Sequence, residues 1–398
     1  MSHKITVLGR DIKFETEYIT PHPIPEDRFP YVSSLALDVS GGCNLRCRYC
    51  AESITMPARA PMTMEMIHQV VDFLFTWSKK GGVSLHFGSG EPLLHPLAVH
   101  EAGRLARERA RKEKRPLSLY ITTNGTLLND EIIGWLVEDE WDVKVSLDGG
   151  EATHDHNRVN PDGSGTYRII EKHVQTLAKA IPERFSTTSV LCHGTDPSEV
   201  FNSIADLGVR SIEIVPVAAP PGSDIKLNED DLERYKLFVL DHAQKLAHGE
   251  DYPSLISFRK RLQRVLGYGN TRTPCGAGRN FFGIGPDGAI YPCFRFIGID
   301  TFRMGGIEHG ISRDEAKRFT VQVGRPYDKR AECRQCWASA LCGGPCYAVT
   351  ELMEMGNASH SQCAMVRAES EAAIWLADVL REENPARLVA LMGVKLDE

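Results

Sequence analysis

Several things are missing from this 398-residue chain, and each absence removes a class of function. No apolar run approaches the roughly 18 residues of a membrane span, and the start, Met1 to Arg10, has no apolar signal-peptide core. The expectation is a soluble cytoplasmic protein with no membrane partner. There is no basic footprint: the formal charge is -7, so nucleic acid is not an expected partner. There is no low-complexity tract and no internal repeat, which excludes a disordered linker or a solenoid. Apolar residues make up 42% of the chain, enough for a proper core, and the length predicts one large domain with a smaller one beside it.

Cysteine, by contrast, is plentiful. Eleven are present, divided three, one and seven: Cys43, Cys47 and Cys50 together, Cys192 alone, and seven between Cys275 and Cys363. In a reducing compartment such clusters bind metals more often than they form disulfides. The odd total fits no simple pairing.

From Tyr31 to Val215 strand and helix patterns alternate. Candidate strands are Val32–Val39, Val83–Phe87, Leu117–Ile121, Val143–Leu147, Thr188–Leu191 and Ile212–Val215. Thr63 can cap a helix with the apolar stripe Met66, Ile67, Val70, Val71 and Leu74. Asp130–Val137, Val200–Leu207 and Asp230–Ala247 also read as helices, a further one runs up to Leu266, and Glu369–Arg381 reads as a closing amphipathic helix. Ile5–Phe14 reads as a hairpin turning at Arg10-Asp11. Six strands with intervening helices imply a parallel sheet, wound either as an open doubly wound sheet or as a partial barrel.

The first predicted strand runs into Ser40-Gly41-Gly42 and then Cys43-Asn44-Leu45-Arg46-Cys47-Arg48-Tyr49-Cys50, a C-x3-C-x2-C spacing. Three thiolates on a tight loop suit a cubane iron–sulfur cluster and leave one iron for an amino and carboxylate ligand. A zinc site or buried structural cysteines are the bland alternatives. Zinc usually closes to four ligands from paired C-x2-C units, and only one such pair occurs here.

With Tyr49 in the aromatic place, this motif resembles that of the radical S-adenosylmethionine superfamily. The resemblance spans about residues 31–220 and implies a partial (β/α)6 TIM-like barrel in an α/β fold. It continues at the later strand ends. Gly88-Ser89-Gly90-Glu91-Pro92 is similar to the family's Gly-Gly-Glu-Pro motif, with Ser89 replacing a glycine, and implies that Gly90 and Glu91 receive the methionine ammonium. Thr123 and Asn124 follow the third strand. Ser146 and Asp148 stand at the fourth, where relatives contact the ribose. His154-Asp155, Arg158 and Gly163-x-Gly165-Thr166-Tyr167 match a loop that brings an arginine to the cofactor carboxylate. Each motif alone is weak, but all occur in order at strand C-termini, where parallel α/β folds gather their active-site groups.

The remaining cysteines are Cys275, Cys293, Cys333, Cys336, Cys342, Cys346 and Cys363. Their spacing, with C-x2-C-x5-C-x3-C at its centre, resembles the SPASM domain, which binds two auxiliary [4Fe–4S] clusters in enzymes that modify peptides. A double zinc module would need eight ligands with tidier pairing. The resemblance assigns Cys275, Cys293 and Cys346 to one auxiliary cluster, and Cys333, Cys336, Cys342 and Cys363 to the other. Some relatives, sulfatase-maturating enzymes among them, supply an eighth cysteine soon after the first. Here Gly276 to Phe282 contain none, which implies an open iron or a non-cysteine ligand.

Together these readings predict an N-terminal hairpin segment (1–30), a barrel (31–220), a helical bridge (221–272), a C-terminal Cys-rich auxiliary-cluster domain (273–365) and a closing helix and tail (366–398). The implied enzyme carries three [4Fe–4S] clusters and S-adenosyl-L-methionine. It is expected to modify a short ribosomal precursor peptide containing cysteine, through a thioether crosslink, since Tyr291–Gly298 and Cys336–Cys346 resemble thioether-forming maturases. Phe294 departs from their usual histidine. Formylglycine formation in a sulfatase, a carbon–carbon crosslink and a non-catalytic electron carrier are the rival readings. A flavodoxin or ferredoxin would supply electrons, and only about thirty residues precede the barrel, so a separate leader-binding protein is a possible partner. Cys192 reads as a buried, inert thiol, and Arg104–Arg115 as a solvated helix face interrupted by Glu108 and Glu113. His86 and His95 read as structural.

Overall fold

A computed structural model describes residues 2–15, 30–50, 59–79, 81–269 and 272–392. The chain opens on an antiparallel hairpin, β1 (Ser2–Val7) and β2 (Arg10–Glu15). The expected hairpin is present, but it turns at Leu8-Gly9 and not at Arg10-Asp11. Both turn residues have positive φ (48° and 75°), the two-residue geometry that matches strand twist. Arg10 is thereby left on the second strand, where it pairs with Asp378 at 2.7 Å and with Glu382.

Six parallel strands form the barrel wall: β3 (Ser34–Leu37), β4 (Val83–Phe87), β5 (Leu117–Thr123), β6 (Asp142–Ser146), β7 (Phe185–Leu191) and β8 (Ser211–Pro216). They pair in sequence order, with Leu35 opposite Leu85, Leu85 opposite Leu119, and Val143 opposite Phe185. Between them run α1 (Met64–Trp77), α2 (Pro96–Glu113), α3 (Asp130–Glu138), α4 (Glu151–Asn157), α5 (Tyr167–Ala180) and α6 (Pro197–Ala205). Thr63 caps α1 as expected, accepting from Met66 N, and Asn129 caps α3.

Burial alternates along the strands. Leu85, Phe87, Leu119, Ile121, Val143, Val145, Ile212 and Ile214 are buried outward against the helices, where the main core lies. The intervening residues His86, Tyr120, Thr122, Lys144, Ser146, Thr188 and Glu213 line the barrel interior. A sheet buried on both faces would read as continuous apolar runs. This alternation instead leaves a polar interior. Trp141, fully buried ahead of β6, needs room that only a missing side chain gives. A Cβ on Gly103 of α2 would lie 2.5 Å from its ring.

The C-terminal half embraces the barrel from both edges. β9 (Ser254–Leu255) pairs with β8, and β10 (Phe281–Ile284) joins β3 in parallel, extending the sheet into the antiparallel strands β11 (Ala289–Tyr291), β12 (Gly305–Gly306) and β13 (Gly310–Ile311). On the other side, α7 (Glu229–Ala247) and α8 (Ile256–Val265) support the long helix α13, which follows α9 (Arg313–Gln322), α10 (Ala331–Arg334), α11 (Ser339–Cys342) and α12 (Tyr347–Leu352). α13 spans His360–Glu383 and starts nine residues before the expected Glu369, so Cys363 sits in its first turn. α14 (Pro385–Met392) ends the described chain.

Candidate active site

The loop after β3 is held in place by its neighbours' strand ends. Gly41 N donates to Asp38 Oδ1 (2.8 Å), and Asp38 pairs with Arg59 at 2.6 Å. Gly90, after β4, has φ +58° and lies against the loop. A Cβ there would stand 2.1 Å from the Gly42 carbonyl oxygen, so only glycine fits. Glu91 N donates to that same oxygen at 2.9 Å. From β5, Asn124 Nδ2 donates to Asn44 Oδ1 (2.9 Å) and approaches Cys43 Sγ at 3.7 Å. On the far side, Arg46 N and Arg48 N donate to the carbonyls of Val159 and Asn157.

Cys43, Cys47 and Cys50 line one cavity of about 480 Å³ with Tyr49, Gly90, Thr123, Asn124, Ser146 and Arg158. Six of the eight residues expected to bind cofactor thus face one chamber. The other two, Glu91 and Asp148, lie just behind it and contact the residues that line it. Glu91 is wholly buried and accepts from Asn124 N (2.6 Å), Thr123 Oγ1 (2.7 Å) and Leu93 N (3.0 Å). With three donors engaged, its carboxylate organises the strand ends and does not face the cavity. Burial pushes its pKa up to about 7 against the pull of those bonds.

Asp148, also buried, forks onto Arg158 at 3.0 and 3.3 Å and accepts from Tyr49 OH (2.5 Å) and Val190 N (3.0 Å). It therefore anchors the arginine and the tyrosine and does not itself present oxygens to the chamber. The guanidinium lies 5.3 Å over the Tyr49 ring. His154, buried and lowered to about 3 by burial, stays neutral; it accepts from Asp148 N (3.3 Å) and lies 2.9 Å from Thr166 Oγ1. Asp155 Oδ1 accepts from Thr166 N and Tyr167 N, fixing the loop that carries Arg158.

The seven later cysteines form two groups. Cys333, Cys336, Cys342 and Cys363 surround a single cavity of about 240 Å³. In the other group, burial pushes the Cys293 thiol up to about 12, followed by the neighbouring sulfurs of Cys346 and Cys275. The residues after two of these three, Phe294-Arg295 and Ala348-Val349, line the barrel cavity itself. Cys192 is buried among Val217, Ala219 and Tyr49. Among the described residues no cysteine is joined in a disulfide. Among the described residues, no three His, Cys, Asp or Glu side chains converge on a point that would hold a single metal ion. Soft thiols in sets of three and four fit iron–sulfur clusters.

The sequence reading missed the interior residues Lys144, Glu213 and Thr188, and took His86 as merely structural. His86 stacks on Tyr120 (centroids 4.5 Å apart) and lines the cavity. The signal available was the polar member of each alternating strand pair, Ser84-His86, Tyr120-Thr122 and Lys144-Ser146.

Residues 37–207 match the family model of the Radical SAM superfamily. The barrel is a radical SAM domain, a kind of domain that binds a [4Fe–4S] cluster and S-adenosylmethionine. It is 23% identical over 334 residues to a cysteine-type anaerobic sulfatase-maturating enzyme of Clostridium perfringens, covering 80% of this chain and 89% of that one. A serine-type anaerobic sulfatase-maturating enzyme of Klebsiella aerogenes is 22% identical over 319 residues, 77% and 78% of the two chains. The structure of native anSMEcpe with bound AdoMet superposes with TM-score 0.74 at 21% identity, covering 88% of this chain and 99% of that one. Streptococcus suis SuiB bound to precursor peptide SuiA gives 0.56 at 15% identity, over 83% and 76%. These likenesses settle the winding of the sheet as a partial barrel.

Proposed function

We propose that this enzyme uses S-adenosylmethionine and three [4Fe–4S] clusters to oxidise a peptide carbon and join it to a cysteine sulfur as a thioether. One observation carries the reading: segments next to Cys293 and Cys346 line the same chamber as Cys43, Cys47 and Cys50. A substrate in the barrel would sit between the two sets. When bound, these groups supply a 5′-deoxyadenosyl radical that takes one hydrogen atom, and an acceptor for the surplus electron. In the product a C–S bond replaces one C–H and one S–H bond. The chain's part is positioning. Gly90 and Asn124 hold the Cys43 loop, Asp148 holds Arg158 and Tyr49 at the cavity wall, and the C-terminal module closes the barrel mouth against water. No eighth cysteine stands with Cys275, Cys293 and Cys346, which leaves room there for a peptide thiolate. A flavodoxin or ferredoxin would reduce the enzyme.

A second reading, formylglycine formation, is favoured by the sulfatase-maturating relatives, which match over about 80% of this chain. Mass spectrometry separates the two. The reconstituted enzyme would be given a Cys-containing peptide encoded beside its gene, and a sulfatase-derived peptide. A product short of two hydrogens, with its cysteine resistant to alkylation and its sulfur retained, supports the thioether. Loss of sulfur and a new aldehyde supports formylglycine.

A further inference from the structure

One pair of charges in the barrel holds neither the cysteine loop nor a strand end. Lys144 Nζ of β6 lies 2.6 Å from Glu213 Oε2 of β8 across β7, and both side chains line the cavity. The other oxygen of Glu213 lies 3.6 Å from Lys260 of α8. Through the strand register, Glu213 shares a layer with Thr188 and Ser146, and Lys144 sits one layer deeper. The pair is therefore directly below the strand ends that carry the cofactor residues.

Stability does not explain it. A buried ion pair is commonly no better than apolar residues of the same volume, because both charges must be desolvated. Nor is the pair balanced. Glu213 is the only carboxylate lining the cavity among the described residues, and two ammonium groups share it. Arg158 is already neutralised by Asp148. An ammonium has three donors, and Glu213 takes one of those on Lys144. The barrel floor thus offers an ammonium with free donors, whose countercharge is also drawn toward Lys260 outside the cavity.

We infer that Lys144 recognises a carboxylate on the substrate, an aspartate or glutamate side chain at or beside the residue that reacts, while Glu213 holds its ammonium in position. This rests on the peptide-modifying reading above, and adds that the residue presented to the radical is acidic or has an acidic neighbour.

The test uses the reconstituted enzyme, S-adenosylmethionine, reductant and capped Gly-Gly-X-Gly-Gly peptides with X as glutamate, glutamine or lysine. The readout is 5′-deoxyadenosine formed above the peptide-free rate, against peptide concentration. The glutamate peptide is expected to be favoured over glutamine by roughly ten- to a hundredfold, the weight of a charge-assisted hydrogen bond. Lys144→Met should bring that ratio near unity, and Lys144→Arg should retain most of it, which separates lost recognition from lost folding. Equal use of glutamate and glutamine, preference for lysine, stimulation by none of the peptides, or an unchanged ratio in Lys144→Met would each overturn the inference. An enzyme that forms no 5′-deoxyadenosine even without peptide would instead sink the functional reading beneath it.

Discussion

Replacing Glu91 with alanine separates two accounts of how the strand ends bind cofactor. If the carboxylate met the methionine ammonium directly, the variant would lose affinity and little else. The structure points elsewhere, because both oxygens are already engaged and none of the residue is exposed. Truncation orphans two buried backbone donors, Leu93 N and Asn124 N, at about 1–3 kcal/mol each, while the Thr123 hydroxyl can turn to another acceptor. Part of that cost is offset, since the carboxyl itself is buried at a penalty that raises its pKa to about 7. The net expectation is a loss of about 2–4 kcal/mol of stability. Glu91→Gln should cost roughly half as much, keeping one acceptor but turning an NH2 toward a donor.

The assay is anaerobic denaturation of the reconstituted protein alongside equilibrium dialysis with S-adenosylmethionine. Affinity should fall because Asn124 and Thr123 are no longer held, and it should fall in step with the denaturation midpoint across the two variants. Iron content should be retained. An Ala variant that binds S-adenosylmethionine a hundredfold more weakly with an unchanged midpoint would refute the reasoning and restore Glu91 as a direct ligand.

Two further outcomes follow from the buried groups. His242 sits among Phe201, Phe238, Tyr252 and Phe258, neither ring nitrogen has a hydrogen-bond partner, and burial lowers it to about 3. The unfolded chain therefore binds this proton below about pH 6.5 while the folded one does not. Stability is full above that pH and falls as pH drops toward 3, by about 1.4 kcal/mol per unit for this group. His242→Phe should flatten part of that acid limb and raise neutral stability by about 1 kcal/mol, read from denaturation midpoints at pH 7 and 5; equal losses in both proteins between those values would contradict it. Separately, reconstituted protein should hold about twelve irons, and the Cys43, Cys47 and Cys50 triple Ala variant about eight, with no cleavage of S-adenosylmethionine. Zinc in place of iron would end the cluster assignment.

Most of what could be read in advance lay where side-chain type and strand periodicity coincide. Val83–Phe87 was expected residue for residue, and the other barrel strands to within a few positions, because alternation in a half-polar interior is visible along the chain. The cysteine groups were legible because soft ligands at fixed spacing have few other uses. Direction was not legible. Glu91 and Asp148 stand at the expected strand ends, yet turn behind the cavity to hold the residues that face it, and nothing local distinguishes a carboxylate that meets a ligand from one that positions its neighbours. The Lys144–Glu213 pair was invisible for another reason: its partners are 69 residues apart and meet only through the strand register. α13 was expected to start too late because its first turn, His360-Ser361-Gln362, carries no apolar stripe, and the turn is held by the fold around Cys363.

Closure of the barrel depends on one contact that can be cut without touching the cavity lining. Lys226, in the loop after β8, donates to both oxygens of Glu354 just beyond α12, at 2.8 and 2.9 Å, with side chains 18% and 9% exposed. Each partner lies near a cavity wall, for Ala218 precedes Lys226 in its loop and Met353 immediately precedes Glu354. The pair therefore links a barrel loop to the cysteine-rich module across the mouth. Removing one partner leaves the other charge largely buried, and at this partial exposure the cost should be about 1–3 kcal/mol. It should fall locally, since both partners lie in loops outside the barrel strands. Lys226→Met is expected to speed amide hydrogen exchange in residues 218–228 and 353–357 roughly tenfold or more, with exchange in β4–β7 unchanged. The double variant Lys226→Met/Glu354→Leu, which leaves no charge stranded, should recover much of the protection. If the single variant exchanges like the parent, or the double variant is looser than the single, the mouth is held shut by packing around Met353 and Leu352 and not by this pair.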